Sequence, residues 1–378
     1  MTASILAGIA GSNASLFRRL QVALGDPGAW LEINGKKIAL VRDLEMDRVR
    51  ANSAADTVTC PAEHEPAGGL SADRETATAQ AVAQLLLNQE IATVNADRSL
   101  PYIFAWHLQQ AGIKVDYDAE LGVLDRRIKS DQEIELLVRA QSTTEEVMRW
   151  ICETIAACTT DADGILQHDG DTLTSERVKS MVAIEFLNRG FTMGHGAIAA
   201  TAPHVADCHH SGTGPLRTGV PIIIDLFPRD EASRYWGDCT RTVCHGEPSD
   251  VVKAMHKAVV AAKIASTKML TAGSLAGDIH KAGEDVLVAA GYPISRGTIT
   301  DEPSIQHGTG HGIGLDVHEP ILLDHGGGEV LCGEVFTVEP GLYGRKVGGV
   351  RIEDMLVVTD REPRNLNQLP EELDWRTS

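Results

Sequence analysis

Three times in this chain a carboxylate interrupts a run of apolar, mostly β-branched residues of the kind that builds a buried strand. The runs are Val220-Pro221-Ile222-Ile223-Ile224-Asp225, Val335-Phe336-Thr337-Val338-Glu339 and Gly349-Val350-Arg351-Ile352-Glu353. Burying an unpartnered charge is prohibitive, so a fold that buries these strands must bring something positive to them. Across a short polar loop from Asp225, the segment Trp236-Gly237-Asp238-Cys239-Thr240 adds a fourth carboxylate, and the stretch from His307 to His318 contributes His307, His311 and His318. Four carboxylates and a histidine in such settings make a hard-ligand site for a divalent metal.

Local patterns sharpen the placement. Asp225 ends one strand and Asp238 starts the next, and adjacent antiparallel strands can set two such side chains on one face, within reach of a common cation. Taken alone, either aspartate reads as a strand-end turn cap. Arg351 and Glu353 are two apart and share a face of an extended strand. Arg351 can therefore orient a carboxylate or hold an anionic substrate group. Pro340-Gly341 ends the strand that carries Glu339.

The chain has 378 residues, enough for two domains and a large core. A mixed α/β domain is expected over residues 1–125. Its signals are an Asn34-Gly35 hairpin between apolar runs, a helix from Ala77 to Asn88, a strand at Ile91–Val94, a helix from Ser99 to Ala111 capped by Ser99, and a strand at 113–115. The second domain, 126–378, opens on the capping box Ser130–Glu133. Helices are expected near 174–188, 250–270 and 275–290, and strands near 191–198, 220–226, 238–244, 335–339 and 350–358.

The formal net charge of −19 disfavours nucleic acid or an anionic membrane surface as a partner. Seven cysteines without a C-x-x-C pair fit a reducing, cytoplasmic compartment. The N-terminal apolar patch Met1–Ala10 has no basic stretch ahead of it, so neither a signal peptide nor a membrane span is expected. His195 and His204 read as surface or loop residues, His325-Gly326-Gly327-Gly328 as a turn, and Cys208 and Cys239 as small buried residues.

Gly-Asp-Cys-Thr-Arg-Thr around Asp238, His-Gly-Thr-Gly-His-Gly-Ile-Gly-Leu-Asp-Val-His-Glu around His311, Val-Glu-Pro-Gly-Leu-Tyr around Glu339 and Val-Arg-Ile-Glu-Asp around Glu353 resemble the ligand motifs of the M24 metallopeptidases. These comprise methionine aminopeptidases, aminopeptidase P and prolidase. The resemblance implies a C-terminal pita-bread domain behind a smaller α/β domain. It implies two divalent ions, Mn preferred with Co, Fe or Zn also suitable: Asp225 on one, His311 and Glu339 on the other, Asp238 and Glu353 bridging. It further implies a metal-bridging hydroxide as nucleophile, Glu339 as proton shuttle, His318 on the scissile carbonyl and His307 lining a proline-side pocket. His307 and Arg351 favour the proline-specific branch over the methionine aminopeptidases, so the implied activity is that of an Xaa-Pro aminopeptidase or prolidase. The implied partner is a peptide with proline second, and a homodimer is expected by analogy. Of Cys208-His209-His210-Ser211, His209 is preferred over His210 as a further substrate-side histidine. One departure is a loop between Asp225 and Asp238 longer than the family's usual one, which is expected to alter the pocket mouth. Two other readings remain on this fold: a metal-independent creatinase-type C–N hydrolase, and a non-catalytic protein-binding module.

Overall fold

The computed structural model describes residues 3–376; positions 1, 2, 377 and 378, the ends of the expected domains and the start of the N-terminal patch, lie outside it. The chain divides into two compact units, Met1–Arg126 and Arg127–Ser378.

The first unit is a six-stranded mixed sheet with helices. Its strands are β1 (Ala3–Ile9), β2 (Pro27–Ile33), β3 (Lys36–Leu40), β4 (Thr57–Thr59), β5 (Thr93–Ala96) and β6 (Lys114–Tyr117), in the order β4-β3-β2-β1-β5-β6. The Asn34-Gly35 turn joins β2 to β3, both residues having positive φ (50° and 82°), as a tight primed turn demands. β1 was not expected. Placed in the middle of the sheet and apolar almost throughout, it lacks the alternation that marks a half-exposed strand. The helix over Arg74–Asn88 starts earlier than expected, where the Asp73 side chain accepts from the Thr76 N–H. The helix over Tyr102–Gln110 is preceded by Pro101 at its cap position. Ser99 does not cap it; its hydroxyl donates to Asp97 and accepts from Asn13.

In the second unit the capping box forms: the Ser130 side chain accepts from the Glu133 N–H, and the Glu133 carboxylate returns to the Ser130 N–H. The helix it opens, Asp131–Ala156, lays Ala140, Val147, Met148 and Ile151 against the strands that follow. These are β7 (Ala197–Ala200), β8 (Pro221–Leu226) and β9 (Cys239–Cys244), an antiparallel sheet in that order. A second sheet is built from β10 (Gly310–Gly312), β11 (Glu319–Leu323), β12 (Val335–Val338), β15 (Asp354–Val357) and β16 (Arg364–Asn365), ordered β11-β10-β12-β15-β16. Between β12 and β15 lies the hairpin β13 (Gly341–Gly344) and β14 (Gly348–Arg351).

Strand alternation explains how the apolar runs hold their carboxylates. Ile222, Ile224 and Leu226 pack into the core under the long helix, so Ile223 and Asp225 point the other way. Phe336 and Val338 enter a core with Leu270, Ala276 and Ile279, which turns Thr337 and Glu339 outward. Val350 and Ile352 pack with Val252, Met255 and Val259, leaving Arg351 and Glu353 on the opposite side. Three alternations thus deliver their polar members away from three apolar cores.

The expected strand over 350–358 is not continuous. It breaks at Ile352-Glu353, where the chain leaves the β13–β14 hairpin and joins the second sheet, and the Glu353 N–H donates to Thr240 O (3.1 Å). The expected strand over 191–198 is also interrupted, by the loop Met193-Gly194-His195-Gly196. The seven cysteines are unpaired, and among the described residues no helix is long and apolar enough to cross a membrane.

Just after the break, Asp354 is held by Arg241 (2.8 Å) and by Lys263, all three being buried. Burial pushes the Asp354 carboxyl up, but the two cations more than reverse this and hold it at about 2. Its contribution to stability is therefore present above the unfolded carboxyl range near pH 4 and lost as pH falls toward 2. Replacing Asp354 by Ala leaves buried Arg241 without its carboxylate and Lys263 with Glu371 alone, and is expected to cost about 3–5 kcal/mol. Denaturant midpoints of the wild type and Asp354→Ala at pH 7 check this, and the gap should narrow on acidification.

Candidate metal centre and substrate cavity

A cavity of about 520 Å³ lies in the second unit, and all five metal-ligand candidates together with His209, His307, His318 and Arg351 line it. Asp225 comes from β8, Asp238 from the residue before β9, His311 from β10, Glu339 from the residue after β12, and Glu353 from the break before β15. Asp225 pairs in register with Thr240. Asp238 is fixed by Gln141, whose side-chain oxygen accepts its N–H (2.9 Å) and whose amide donates to its carbonyl (2.7 Å).

The His311 ring has a defined tautomer. Nδ1 lies 3.1 Å from the Gly312 carbonyl, which can only accept, so Nδ1 carries the proton. Nε2 then presents a lone pair 3.6 Å from both Asp238 Oδ2 and Glu339 Oε1. Burial, helped by His318, lowers the His311 pKa to about 3, so no ring proton bridges these acceptors at neutral pH. Ligand atoms of Asp238, His311 and Glu353 lie within 4.8 Å of one another.

The single guanidinium among the carboxylates is that of Arg351, which is 3% exposed. It donates to Asp225 Oδ2 (2.5 Å), to Thr240 Oγ1 (3.2 Å), to Tyr343 Oη (3.0 Å) and to the Cys208 carbonyl (3.3 Å). Thr240 in turn donates to Glu353 Oε2 (2.8 Å). One cation does not neutralise four carboxylates. Burial pushes Asp238 and Glu353 well above the usual carboxylate range, their acidic neighbours adding to it. Burial likewise raises Glu339 to about 7 against the pull of Arg351. Asp225 Oδ1 is buried without a hydrogen-bond partner. A neutral imidazole aimed at carboxylates, an orphaned carboxylate oxygen and an excess of enclosed negative charge all fit divalent cations.

The histidines around this cluster differ in freedom. His307 Nδ1 donates to the Gly308 carbonyl (2.7 Å), so Nε2 accepts from the Tyr343 hydroxyl (2.6 Å), which itself accepts from Arg351. Enclosure and Arg351 lower the His307 pKa to about 3, and it stays neutral. His318 stands with its ring centroid 4.3 Å from that of His311, edge to face. Its loop is pinned twice: Trp236 donates through Nε1 to Leu315 O (3.0 Å) and through its backbone N–H to Gly314 O (3.1 Å). Glu319 accepts from the Leu315 and Asp316 N–H groups while paired with buried Lys129 (2.9 Å). Trp236 belongs to the long Asp225–Asp238 loop, so that loop shapes the wall carrying His318.

His209 is exposed and lines the cavity, whereas His210 accepts from the Gly212 N–H and stacks on His204 (centroids 4.7 Å). His195 sits in an exposed loop but also lines the cavity, its ring 5.3 Å from that of Trp236; reading it as a plain loop residue missed this. Cys208 lines the cavity too, while Cys239 is buried. Arg296 and Asp324 reach the cavity without having been foreseen. No motif marks either, because both lie in turns.

The description of metallopeptidase family M24 matches residues 135–360. The chain is 30% identical over 250 residues to the probable dipeptidase PepE of Mycobacterium tuberculosis (strain H37Rv), a match covering 66% of this chain and 60% of that relative's length. The fold is that of an Xaa-Pro dipeptidase from Bacillus anthracis (TM-score 0.80, 22% identity, 98% of this chain and 94% of that one). It is also like that of an X-Pro aminopeptidase from Thermotoga maritima (TM-score 0.78, 20% identity, 98% and 97%).

In metal-free protein the raised carboxyl groups have a consequence for stability. Between the unfolded value near 4 and the folded value, the native state holds more protons than the unfolded chain, so stability falls as pH rises through that window. For Glu339 the fall is complete above about 7. Chelator-treated protein should therefore melt lower at pH 8 than at pH 5. Added Mn should raise the melting temperature more at pH 8, and Glu339→Gln should shrink the pH dependence of the stripped protein. A stripped wild type whose pH dependence is unchanged by Glu339→Gln would contradict the charge balance described here.

Proposed function

This chain belongs to metallopeptidase family M24, and from that premise we propose that it hydrolyses the peptide bond of an N-terminal Xaa-Pro unit in the cavity described above. The observation that carries the reading is the unprotonated Nε2 of His311 facing Asp238 and Glu339 beside Glu353 and the orphaned oxygen of Asp225. In this reading Asp225, Asp238, His311, Glu339 and Glu353 would hold two divalent ions. One imidazole among carboxylates suits Mn first, and also Co, Fe or Zn. Such a pair supplies Lewis-acid activation of water and polarisation of the scissile carbonyl.

The remaining work falls to side chains. As water adds to the carbonyl carbon, Glu339 takes its proton and passes it to the proline nitrogen while the C–N bond breaks. His318, held in place by its pinned loop, donates a hydrogen bond to the carbonyl oxygen. His307, neutral and tied to Tyr343, lines the side that receives the proline ring, and His209 faces the substrate from the rim. Arg351 orients Asp225 directly and Glu353 through Thr240. An Xaa-Pro bond offers no N–H to its enzyme, so recognition must rest on shape and on the groups flanking the ring. The names of the Bacillus and Thermotoga proteins support the proline-specific branch.

The test is hydrolysis by metal-stripped protein, with and without added Mn, of an Xaa-Pro dipeptide, an Xaa-Pro-Xaa tripeptide and a Met-Ala-Xaa control. Metal-dependent cleavage at Xaa-Pro with the control untouched is the expected result. Metal-independent turnover of a different C–N bond would favour the creatinase-type reading, and metal binding without any cleavage a binding module. Asp238→Ala is expected to abolish bound metal and activity together. His318→Ala should keep its metal and lose about 10²–10³ in kcat; loss of metal from that variant would disprove its place on the carbonyl.

A further inference from the structure

The turn His325–Gly328 carries a histidine that the carboxylate centre does not use. Ala276, at the start of the helix Ala276–Ala289, donates its N–H to Gly328 O (3.0 Å), and the Gly327 N–H donates to Asp324 O (3.0 Å). Only glycine fits at 327, where a Cβ would fall 2.6 Å from both Ala276 Cβ and Leu322 O. The turn is thus pressed against that helix, and the His325 ring lies edge to face with the ring of His280 (centroids 4.6 Å). His280 and Glu284 are four residues apart on the helix and share a face; they are 2% and 8% exposed. The His325 side chain is 56% exposed, so the cluster opens to solvent on one side.

The lone pairs of this cluster face one another. Arg296 donates through Nη2 to His280 Nε2 (2.8 Å), so Nε2 is unprotonated, and Nδ1 carries the ring proton toward Thr309 Oγ1 (2.9 Å). The same Nε2 lies 3.4 Å from Glu284 Oε1 and 3.6 Å from Asp324 Oδ1. Glu284 Oε1 is buried without a hydrogen-bond partner, and Glu284 Oε2 lies 3.5 Å from His325 Nε2. Ligand atoms of His280, Glu284 and His325 lie within 4.8 Å of one another. A buried carboxylate oxygen turned to a nitrogen lone pair is costly unless a cation comes between them. Arg296 gives Oε1 no hydrogen bond; it binds both oxygens of Asp324 instead (2.8 and 2.6 Å). Those two charges cancel, which leaves the charge of Glu284 to be balanced.

We propose that His280, Glu284 and His325 form a second divalent-cation site, of zinc type, which staples the turn His325–Gly328 to the helix Ala276–Ala289. Two imidazoles and one carboxylate are a ligand set that suits zinc, with a fourth position left to water on the open side. Imidazoles also select against Mg and Ca, and the centre around His311, with four carboxylates to one imidazole, is the harder of the two. Zinc would take the His280 lone pair in place of the Arg296 bond, while Arg296 keeps Asp324. The site stands behind the wall of the substrate cavity: Arg296 and Asp324 line that cavity, and His280, Glu284 and His325 do not.

The experiment uses Mn-loaded wild type, His325→Ala and Glu284→Gln, each dialysed against a low-micromolar zinc buffer, with bound zinc counted by atomic absorption. Whatever zinc enters the carboxylate centre does so in all three proteins, so the difference between them reads the second site alone. Wild type is expected to hold one zinc per chain more than either variant, each substitution weakening that ion by about 100-fold or more. Zinc should also raise the melting temperature of the wild type above that of His325→Ala, whereas in Mn alone the two should melt together, since His325 is exposed. Equal zinc in wild type and His325→Ala overturns the site. So does an ion lost in His325→Ala but kept in Glu284→Gln, which marks a surface histidine only. Zinc content reads this site whether or not the chain cleaves an Xaa-Pro bond.

Discussion

The site depends on an imbalance of charge: four carboxylates converge on one cavity and a single deeply buried guanidinium, that of Arg351, stands among them. Arg351 engages Asp225 directly and Glu353 by way of Thr240, stands 4.0 Å from Glu339, and leaves Asp238 and one oxygen of Asp225 without a partner of opposite charge. A fold tolerates such a centre only if it is rigid and if bound cations repay the desolvation. Much of the surrounding architecture supplies that rigidity. Gln141 clamps both backbone polar groups of Asp238, and Gly312 fixes the His311 tautomer. The buried Arg241–Asp354–Lys263 group anchors the chain just beyond Glu353.

The same economy of strand alternation serves packing and chemistry. The segments that carry Asp225, Glu339 and Glu353 send their apolar members into three separate cores and turn their carboxylates toward the cavity. A one-residue slip in any of them would exchange the two sets. Loops then complete what the strands begin. The extended Asp225–Asp238 connection, through Trp236, and the Lys129–Glu319 pair hold opposite sides of the Gly314–His318 loop. His318 is therefore positioned by residues far from it in sequence.

Much of this was legible beforehand, for a definite reason. Carboxylates inside β-branched runs are costly unless they have a purpose, and their flanking motifs carry the resemblance to the M24 family. The Asn34-Gly35 hairpin and the Ser130–Glu133 capping box were readable because local stereochemistry decides them. The central strand β1 was not, since burial leaves no alternation to detect. Nor was the failure of Ser99 to cap its helix, because Asp97 and Asn13 compete for its hydroxyl.

By itself the sequence singled out the candidate ligand set, the order in which it appears along the chain and the hard-cation chemistry it suits, because residue type and strand period are local properties. Tertiary structure decided which proton His311 keeps, that the chain changes sheets at Ile352-Glu353, and that Tyr343 ties His307 to Arg351. It also decided that His195, Arg296 and Asp324 share the cavity. Those outcomes depend on groups brought together across long stretches of chain, and a hydrogen bond between such groups has no signature in the order of residues.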